Sequence, residues 1–281
     1  MSKLNVAGAN AEQIEFWNGE AARSWTDYQE QLDALLQPLS KAVVDRAAVS
    51  RGERVLDVGC GCGQTSLDLA AAGSRVTGVD ISEPMLARAT QRAAATQHDA
   101  QFVLADASTH TFEREFDVLF SRFGVMFFAD PIAAFTNLHR ALKPAGRLAF
   151  LCWQHVKVNP WMAVPMAAAR PHLPEQPAAV DPRAPGPFAF ADVDYVREIL
   201  ARAGFSDVVV DDVGAELELG DSVDAAVNFV CRVGPLSRPL AQIDADMRKR
   251  VMAAVRDTLV QHAKAGVVRL GAKCWLVTAR A

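Results

Sequence analysis

The first half of the sequence contains glycine and acidic residues whose spacing is typical of a ligand-binding turn. Residues 54–66 read RVLDVGCGCGQTS, an apolar strand pattern followed by Gly59, Gly61 and Gly63 and then by a helical pattern. A strand, a glycine turn and a helix in this order form the ligand-binding corner of an open α/β sheet. The glycines permit a tight turn and let a ligand lie against the main chain. The segment therefore predicts a site where a ligand contacts the protein backbone.

Two further acids indicate the chemistry of this ligand. Asp80 ends the second predicted strand, and Asp106 follows the third. A carboxylate in the first position can accept two hydrogen bonds from a ribose diol, which excludes a 2′-phosphorylated ligand such as NADP. An acid in the second position can accept from an adenine amino group, and Ala107 adds a backbone N–H for a ring nitrogen. Together with Asp57, these acids lie on successive strands, whose ends converge on one crevice.

Other nucleotide chemistries fit the pattern less well. The spacing G-x-G-x-G differs from the dinucleotide fingerprint G-x-G-x-x-G, and the loop has neither the G-K-[ST] ending of a P-loop nor a basic residue. A nicotinamide-dependent oxidoreductase remains an alternative. Cys60 and Cys62 form a C-x-C pair inside the turn, but no second cluster completes a tetrahedral set, so we predict no metal site.

The remaining elements must hold this corner in place. From residue 51 strand and helix patterns alternate, and the strands are apolar throughout, which predicts a parallel sheet covered on both faces. Ser82 is predicted to cap the helix over 82–95, and Pro38 to kink or split a helix over 30–44. Residues 159–187 carry eight prolines, which indicates mostly loop. The predicted strands are 55–58, 75–79, 101–104, 116–120, 147–152, 207–210, 216–219 and 274–279, and the later helices include 161–169, 192–203, 223–231 and 239–263.

Length, net charge and cysteine content limit the kinds of partner that we expect for this protein. The chain has 281 residues, a formal net charge of −4 and five cysteines. The mild acidity argues against nucleic acid, no apolar run reaches the roughly 20 residues that cross a bilayer, and unpaired cysteines suit a reducing cytoplasm. We see no secretory signal. We expect a cytoplasmic monomer or homodimer with one domain over 1–281, divided into a helical cap (10–48), a ligand-binding core (49–153), a substrate loop (154–191) and a C-terminal part of the sheet with inserted helices (192–281).

In this order the motifs resemble those of class I S-adenosylmethionine (SAM) dependent methyltransferases, in particular small-molecule enzymes of the UbiE-like type. The motifs are VLDVGCGCG at 55–63, GVDIS at 78–82, ADA at 105–107, FDV at 116–118 and LKPAGRL at 142–148. The resemblance covers about residues 50–153 and is weaker on either side. Ala145 departs from the glycine that the family often has, at a turn remote from the cofactor. The resemblance implies a Rossmann-like, doubly wound seven-stranded sheet with an antiparallel last strand, an N-terminal helical cap and an inserted loop or helical lid.

The resemblance also implies roles for individual residues. SAM would be the cofactor and S-adenosylhomocysteine (SAH) the product. Asp57 would orient the methionine amino group, Asp80 the ribose hydroxyls, and Asp106 the adenine edge. The cationic sulfonium and zwitterionic tail of SAM suit acids and aromatics better than basic residues. The expected cofactor-binding residues are Asp57, Gly59, Gly61, Gly63, Thr65, Asp80, Ile81, Met85, Asp106, Ala107, Ser121 and Tyr28.

The acceptor is expected to be a small molecule held by apolar side chains. Methyl transfer from a sulfonium is an in-line displacement that a dry, aligned site accelerates, and a base matters only if the acceptor must lose a proton. Arg122 is predicted to pair with a substrate carboxylate or with a cap acid such as Glu15, and His155 is the candidate general base. A non-catalytic SAM-binding protein, and methylation of protein or RNA, stay open as alternatives. The expected acceptor wall is Phe123, Met126, Phe127, Trp153, Trp161 and Phe188.

Overall fold

One mixed β-sheet forms the centre of the molecule. The computed structural model describes residues 4, 8–174, 181–234 and 236–281, and eight strands within them form this sheet. They are β1 (Arg54–Val58), β2 (Arg75–Asp80), β3 (Ala100–Leu104), β4 (Phe116–Arg122), β5 (Leu142–Trp153), β6 (Ser206–Gly220), β7 (Ala263–Lys264) and β8 (Val267–Arg280). Strands β1 to β5 run parallel in the order β3-β2-β1-β4-β5, and β8 lies antiparallel between β5 and β6. The Rossmann-like class and the antiparallel last strand are confirmed, and the short β7 pairs with β8 in addition to the predicted seven.

The helices divide into a cap before the sheet, connections within it and a C-terminal group. After the cap, helices follow β1, β2 and β4 and lead to the next parallel strand, as expected of a doubly wound sheet, whereas β3 and β4 are joined without a helix. The cap is α1 (Ala11–Asn18), α2 (Glu20–Asp27) and α3 (Gln29–Ala47), and the others are α4 (Gln64–Ala71), α5 (Glu83–Ala94), α6 (Pro131–Ala141), α7 (Pro160–Ala169), α8 (Val193–Arg202), α9 (Val223–Arg232), α10 (Ser237–Ala241) and α11 (Ala245–Val260).

The strand order places a crevice between β1 and β4. From β1 the chain adds β2 and β3 on one side, and then crosses to add β4 and β5 on the other. In open α/β sheets, ligands bind outside the carboxyl ends of the strands at such a switch point. The glycine turn at 59–63 follows β1 at this place, as predicted.

Local sequence accounts for the elements around this crevice. The central strands are buried on both faces, and Leu56 and Phe120 are fully inaccessible to solvent, which explains their continuous apolar sequences. Ser82 caps α5 as predicted, since its hydroxyl accepts a hydrogen bond from the Met85 N–H at 3.5 Å. Asp130 likewise accepts from the Ala133 N–H at 3.0 Å and begins α6. These caps fix the helices that follow β2 and β4.

Several predicted boundaries were wrong. The strands expected at 207–210 and 216–219 are one continuous strand, β6, because it pairs with β8 along its length. The helix expected at 239–263 is two helices, since the Asp244 carboxylate accepts from the Met247 N–H at 2.7 Å and starts α11 anew. Pro38 does not split α3, whose apolar side is buried along its length. Residues 175–180 of the predicted loop lie outside the described residues.

Candidate functional site

A cavity of about 490 Å³ lies at the carboxyl ends of the parallel strands, between the sheet and the cap. Its size is within the range of small-molecule sites, roughly 300–1,000 Å³. The glycine turn forms its floor, the helices α1 to α3 contribute side chains from the cap, and the segments 185–187 and 232–238 contribute from later in the chain. The cavity therefore joins the three regions that the sequence assigned to cap, core and substrate loop.

The glycine turn packs directly against the end of β4. Gly59 has φ +68°, and a Cβ on it would lie 2.6 Å from the Cα of Gly124. A Cβ on Gly124 would in turn lie 2.5 Å from the Val58 carbonyl oxygen. Real Cβ atoms do not approach so closely, so both positions need glycine for the two backbones to meet. Gly124 was not among the predicted site residues.

Asp80 is held beside the turn by backbone donors. The Gly61 N–H and the Ser82 N–H each donate to its carboxylate at 2.8 Å. Burial raises the pKa of Asp80 above its ordinary value, and these two donors oppose that rise. Asp80 lines the cavity together with Ile81 and Met85, the neighbours predicted for an adenosine.

Asp57 is fully buried behind the turn rather than exposed in the cavity lining. Its Oδ2 accepts from the Thr65 hydroxyl at 2.9 Å and from the Ser66 hydroxyl at 2.6 Å. Its Oδ1 is buried and has no hydrogen-bond partner among the described residues. Desolvation raises the pKa of Asp57 to about 6. An unpaired buried carboxylate oxygen is costly to the folded protein.

Arg122 brings a positive charge to the same end of the cavity. It lines the cavity, and its Nη1 donates to the Ser40 hydroxyl of α3 at 2.8 Å. Burial lowers the pKa of Arg122, while Asp33 and Asp57 are among the acids that counteract this. The predicted partner Glu15 is not its hydrogen-bond partner. Arg122 and Asp57 together form an acid–base pair of the kind that a zwitterionic tail requires.

Asp106 lines the cavity, but a cap residue already occupies its carboxylate. The Nδ2 group of Asn10 lies 2.9 Å from both Oδ1 and Oδ2 of Asp106. The N–H and hydroxyl of Ser108 also donate to Oδ1, at 2.9 and 2.7 Å. Asp106 therefore connects the cap to the sheet in addition to lining the cavity. Nothing in the sequence around residue 10 identifies this contact.

A second asparagine, Asn18, connects the other end of α1 to the core by hydrogen bonds. The Asn18 Nδ2 donates to the Ile81 carbonyl at 2.9 Å, and its Oδ1 accepts from the Glu83 N–H at 2.9 Å. Deeper in the cap, Arg92 of α5 donates to Asp33 of α3 at 2.9 Å. The cap is thus fixed over the ends of β2 and β3 by polar contacts at several points.

Aromatic side chains form the wall beyond the turn. Phe123 and Trp153 stack at 4.0 Å between ring centroids with an interplanar angle of 4°, and Trp161 lies 5.2 Å from Trp153. Phe123, which directly follows β4, has φ +63°, an uncommon conformation for a non-glycine residue. From the cap, Trp17 contacts Phe127 edge to face at 5.2 Å. All five line the cavity, as do the predicted Met126 and the cap residue Trp25.

The structure does not bring every predicted residue to the cavity. Tyr28 packs against Phe229 at 6.2 Å, and Ser121 is buried, where its hydroxyl donates to the Val58 carbonyl at 2.7 Å and so supports the turn. His155 is exposed and accepts from the Lys157 N–H at 3.2 Å, as the cap of a 3₁₀ turn. The residues that lie outside the lining are Tyr28, Ser121, His155 and Phe188, together with Gly63, Thr65 and the buried Asp57.

Two further observations concern metals and membranes. Across the described ranges, no group of three or more His, Cys, Asp or Glu residues is arranged to hold a metal ion. Cys60 and Cys62 line the cavity, and burial raises the pKa of Cys62 to about 12, so this thiol is held in its neutral form. None of the helices in the described part of the chain is long and apolar enough to cross a bilayer.

Sequence comparisons find similarity to methyltransferases over the segment that contains the glycine turn. Residues 56–150 match the family model for a methyltransferase domain. An uncharacterized protein of Mycobacterium tuberculosis is 33% identical over 159 residues, which are 56% of this chain and 57% of that protein. Phosphoethanolamine N-methyltransferase 1 of Triticum aestivum is 31% identical over 175 residues, 62% of this chain and 32% of that protein. The chain spans less than two thirds of the length of these curated relatives.

Solved structures show the same fold over nearly the whole chain. Magnesium protoporphyrin IX methyltransferase of Synechocystis PCC 6803, with bound SAM, has a TM-score of 0.55 and 16% identity, covering 98% of each chain. Phosphoethanolamine N-methyltransferase 2 of Haemonchus contortus, in complex with SAM, has a TM-score of 0.58 and 17% identity, covering 98% of this chain and 60% of that one. Residues 56–150 are thus similar to a methyltransferase domain, and the chain shares the fold of these two solved methyltransferases.

Proposed function

We propose that this protein is a SAM-dependent methyltransferase that acts on a small, largely apolar acceptor. The observation that carries the proposal is the cavity itself. Its lining combines the glycine turn and the Asp80 carboxylate with the stacked rings of Phe123 and Trp153. One cavity thus offers a nucleoside site and an aromatic wall.

The charged residues of this site suit the groups of SAM. Asp80 faces the cavity with two backbone donors behind it, so its carboxylate keeps lone pairs for ribose hydroxyls. Asp106 keeps acceptor capacity beside Asn10, for the adenine amino group. Asp57 lies behind the turn and outside the lining, so we propose that its charge favours the ammonium of the methionine tail without direct contact. We assign Arg122 to the carboxylate of that tail rather than to the acceptor, because it interacts with Asp57 and contacts Ser40 of the cap.

SAM supplies a methyl group bound to a cationic sulfur. The chain's own residues contribute alignment and exclusion of water, which are the main requirements of an in-line displacement. The aromatic wall also suits a cation through the negative faces of its rings. The described lining contains no histidine, lysine or tyrosine, and the proposal therefore gives His155 no role as a base. The acceptor atom is accordingly expected to be nucleophilic without assistance from these residue types.

The domain layout and cellular setting remain parts of the proposal. We propose one methyltransferase domain over 1–281, with 10–48 as the cap and 154–191 contributing to the acceptor side. The lining residues at 185–187 support the second assignment. The five cysteines are free and buried, which supports a reducing compartment such as the cytoplasm. The volume of the cavity, about 490 Å³, and its position beneath the cap favour a small acceptor over protein or RNA.

The test uses SAM with an isotope-labelled methyl group, incubated with the protein and a metabolite library and followed by mass spectrometry. The proposal predicts a labelled small-molecule product and stoichiometric SAH. Binding of SAH without any labelled product would instead support a non-catalytic SAM-binding protein. In parallel thermal melts, SAH should raise the melting temperature and NADH should not, because only a ligand of the native state stabilises it. Stabilisation by NADH alone would support the oxidoreductase.

A further inference from the structure

The C-terminal end of α9 and the helix α10 contribute polar groups to the cavity that the methyl-transfer proposal does not use. Arg232, Gly234, Ser237 and Arg238 all line the cavity. This side of the cavity thus combines the apolar surface of Trp153 and its neighbours with cations from a different part of the chain.

Arg232 and Arg238 have no acidic partner among the residues that the structure describes. Neither forms an ion pair or a side-chain hydrogen bond with any residue in the described ranges. Three acids of the lining are engaged elsewhere: Asp33 pairs with Arg92, Asp80 accepts from backbone N–H groups, and Asp106 accepts from Asn10. Glu12 is a further acid of the lining. Both arginines are exposed, and two guanidinium groups at one side of a cavity attract an anion and can bind its oxygens in pairs.

Trp161 supplies a second, independent indication of the same ligand. Its side chain is 7% exposed and lines the cavity, and its Nε1 has no hydrogen-bond partner among the described residues. Its Cζ3, on the edge of the ring remote from Nε1, lies 3.9 Å from the position that a Cβ on Gly234 would occupy, so the ring packs beside a residue two positions after Arg232. A buried indole N–H without an acceptor is costly, and a ligand oxygen would remove that cost.

We propose that the acceptor carries an oxyanion on an apolar body, with the oxyanion bound by Arg232, Arg238 and the Trp161 N–H. The apolar body lies against Trp153 and Met162, which line the same part of the cavity. In this arrangement Asp80 and Asp106 lie beside the cationic cofactor, and Arg232 and Arg238 lie beside the anionic acceptor. That the ligand is the methyl acceptor rests on the proposed function, but oxyanion binding at this site can be measured without the cofactor.

The experiment compares matched pairs of apolar acids and their primary amides by isothermal titration calorimetry, with and without saturating SAH. The pairs are benzoate, 2-naphthoate, octanoate and dodecanoate with the corresponding amides, and 2-naphthyl phosphate with 2-naphthol tests whether phosphate serves in place of carboxylate. At least one acid should bind roughly tenfold or more tightly than its neutral partner, since each lost charge-assisted hydrogen bond costs about that factor. Equal binding in every pair overturns the inference.

Substitutions test which side chains cause the preference for acids over amides. R232M and R238M should each reduce the ratio of acid to amide affinity, and the double variant should abolish it. W161F replaces the indole with a smaller phenyl ring that has no N–H, so the lost packing should weaken acid and amide alike and the lost N–H should weaken the acid further. R250M, an exposed arginine of α11 outside the lining, is the matched control and should leave the ratio unchanged. A ratio that persists in the double variant contradicts the site.

The outcomes for SAH and for the acids are independent. If SAH fails to bind while the acid preference is present and lost in the double variant, the proposed function fails and the oxyanion site stands. If SAH binds and no acid preference exists, the proposed function stands and the oxyanion site is wrong.

Discussion

Asn10 and Asp106 are joined by two hydrogen bonds of 2.9 Å, from the Asn10 amide to both carboxylate oxygens. The Asn10 Oδ1 also accepts from the Ala129 N–H at 3.0 Å. One buried side chain before α1 thus connects the cap with the loops after β3 and β4. The acid that the sequence assigned to adenine therefore also holds the cap in place.

Replacing Asn10 should loosen the cap. N10A removes the amide that bonds to the Asp106 carboxylate and leaves the Ala129 N–H without its acceptor, which should destabilise the protein by about 1–3 kcal/mol. Hydrogen exchange of the α1 amides should become faster, because local opening no longer breaks these contacts. N228A changes an exposed asparagine of α9 and serves as the control. Unchanged exchange of α1 in N10A would show that the cap is held in another way.

The buried Asp57 predicts a specific pH dependence of stability. Burial raises the pKa of Asp57 from 3.8 to about 6 in the folded protein. A raised folded pKa means that folding favours the protonated acid, so the native state loses stability as pH rises from about 4 to about 6. The difference corresponds to about 3 kcal/mol at most. D57N does not titrate, so its stability relative to the wild type should rise over this interval.

Urea unfolding of both proteins at pH 4 and pH 7 measures the effect. A difference in unfolding free energy that does not depend on pH would contradict the raised pKa. Because an ammonium group on the ligand favours ionised Asp57, SAH should also bind the wild type more tightly as pH rises through about 6. D57N should lack that part of the pH dependence.

Arg122 is predicted to recognise the carboxylate of the cofactor tail. R122M should weaken SAH by roughly tenfold or more, since a charge-assisted hydrogen bond is lost. 5′-Methylthioadenosine has the same nucleoside but lacks the tail carboxylate, so its affinity should stay close to that of the wild type. Calorimetric titration of R122M, R122K and the control R250M with each of the two ligands measures these affinities. Equal losses for both ligands would indicate a general disturbance of the cavity and contradict the assignment.

The contact between Gly59 and Gly124 predicts an asymmetry between two glycine substitutions. G124A places a methyl group 2.5 Å from the Val58 carbonyl, and the β1 and β4 ends must separate to admit it. We expect a loss of about 2 kcal/mol or more in the free energy of unfolding. In G186A the nearest atom is 3.8 Å away, so stability should be nearly unchanged. Similar urea midpoints for G124A and the wild type would show that the turn tolerates the separation.

The fold and the cofactor end were predictable because they depend on local pattern. The apolar strands, the glycines after β1 and the acids at the ends of β2 and β3 are adjacent in sequence to the elements that position them. Asp80, Ile81 and Met85 line the cavity as expected. Strand order then follows from the alternation of strand and helix, with the switch point beside the glycine turn.

Residues that come from distant parts of the chain were less predictable throughout the cavity. Asn10, Gly124 and Arg232 meet the cavity only through tertiary packing, and no local motif marks them. His155 follows β5 directly, but the chain turns it outward as the cap of a 3₁₀ turn. Tyr28 lies next to the correct cap helices, yet its ring packs on Phe229 instead. Direction of a side chain on a short turn or helix end cannot be derived from spacing alone.

The central claim is that Asp80 holds an adenosyl ligand at the glycine turn, and calorimetric titration with SAH tests it most directly. The wild type should bind SAH and give no heat with NADH. D80A should weaken SAH by roughly tenfold or more, because the ribose hydroxyls lose their acceptor. D257A, at an exposed aspartate of α11, should bind SAH as the wild type does. Binding of NADH, or an SAH affinity in a folded D80A equal to that of the wild type, would contradict the account.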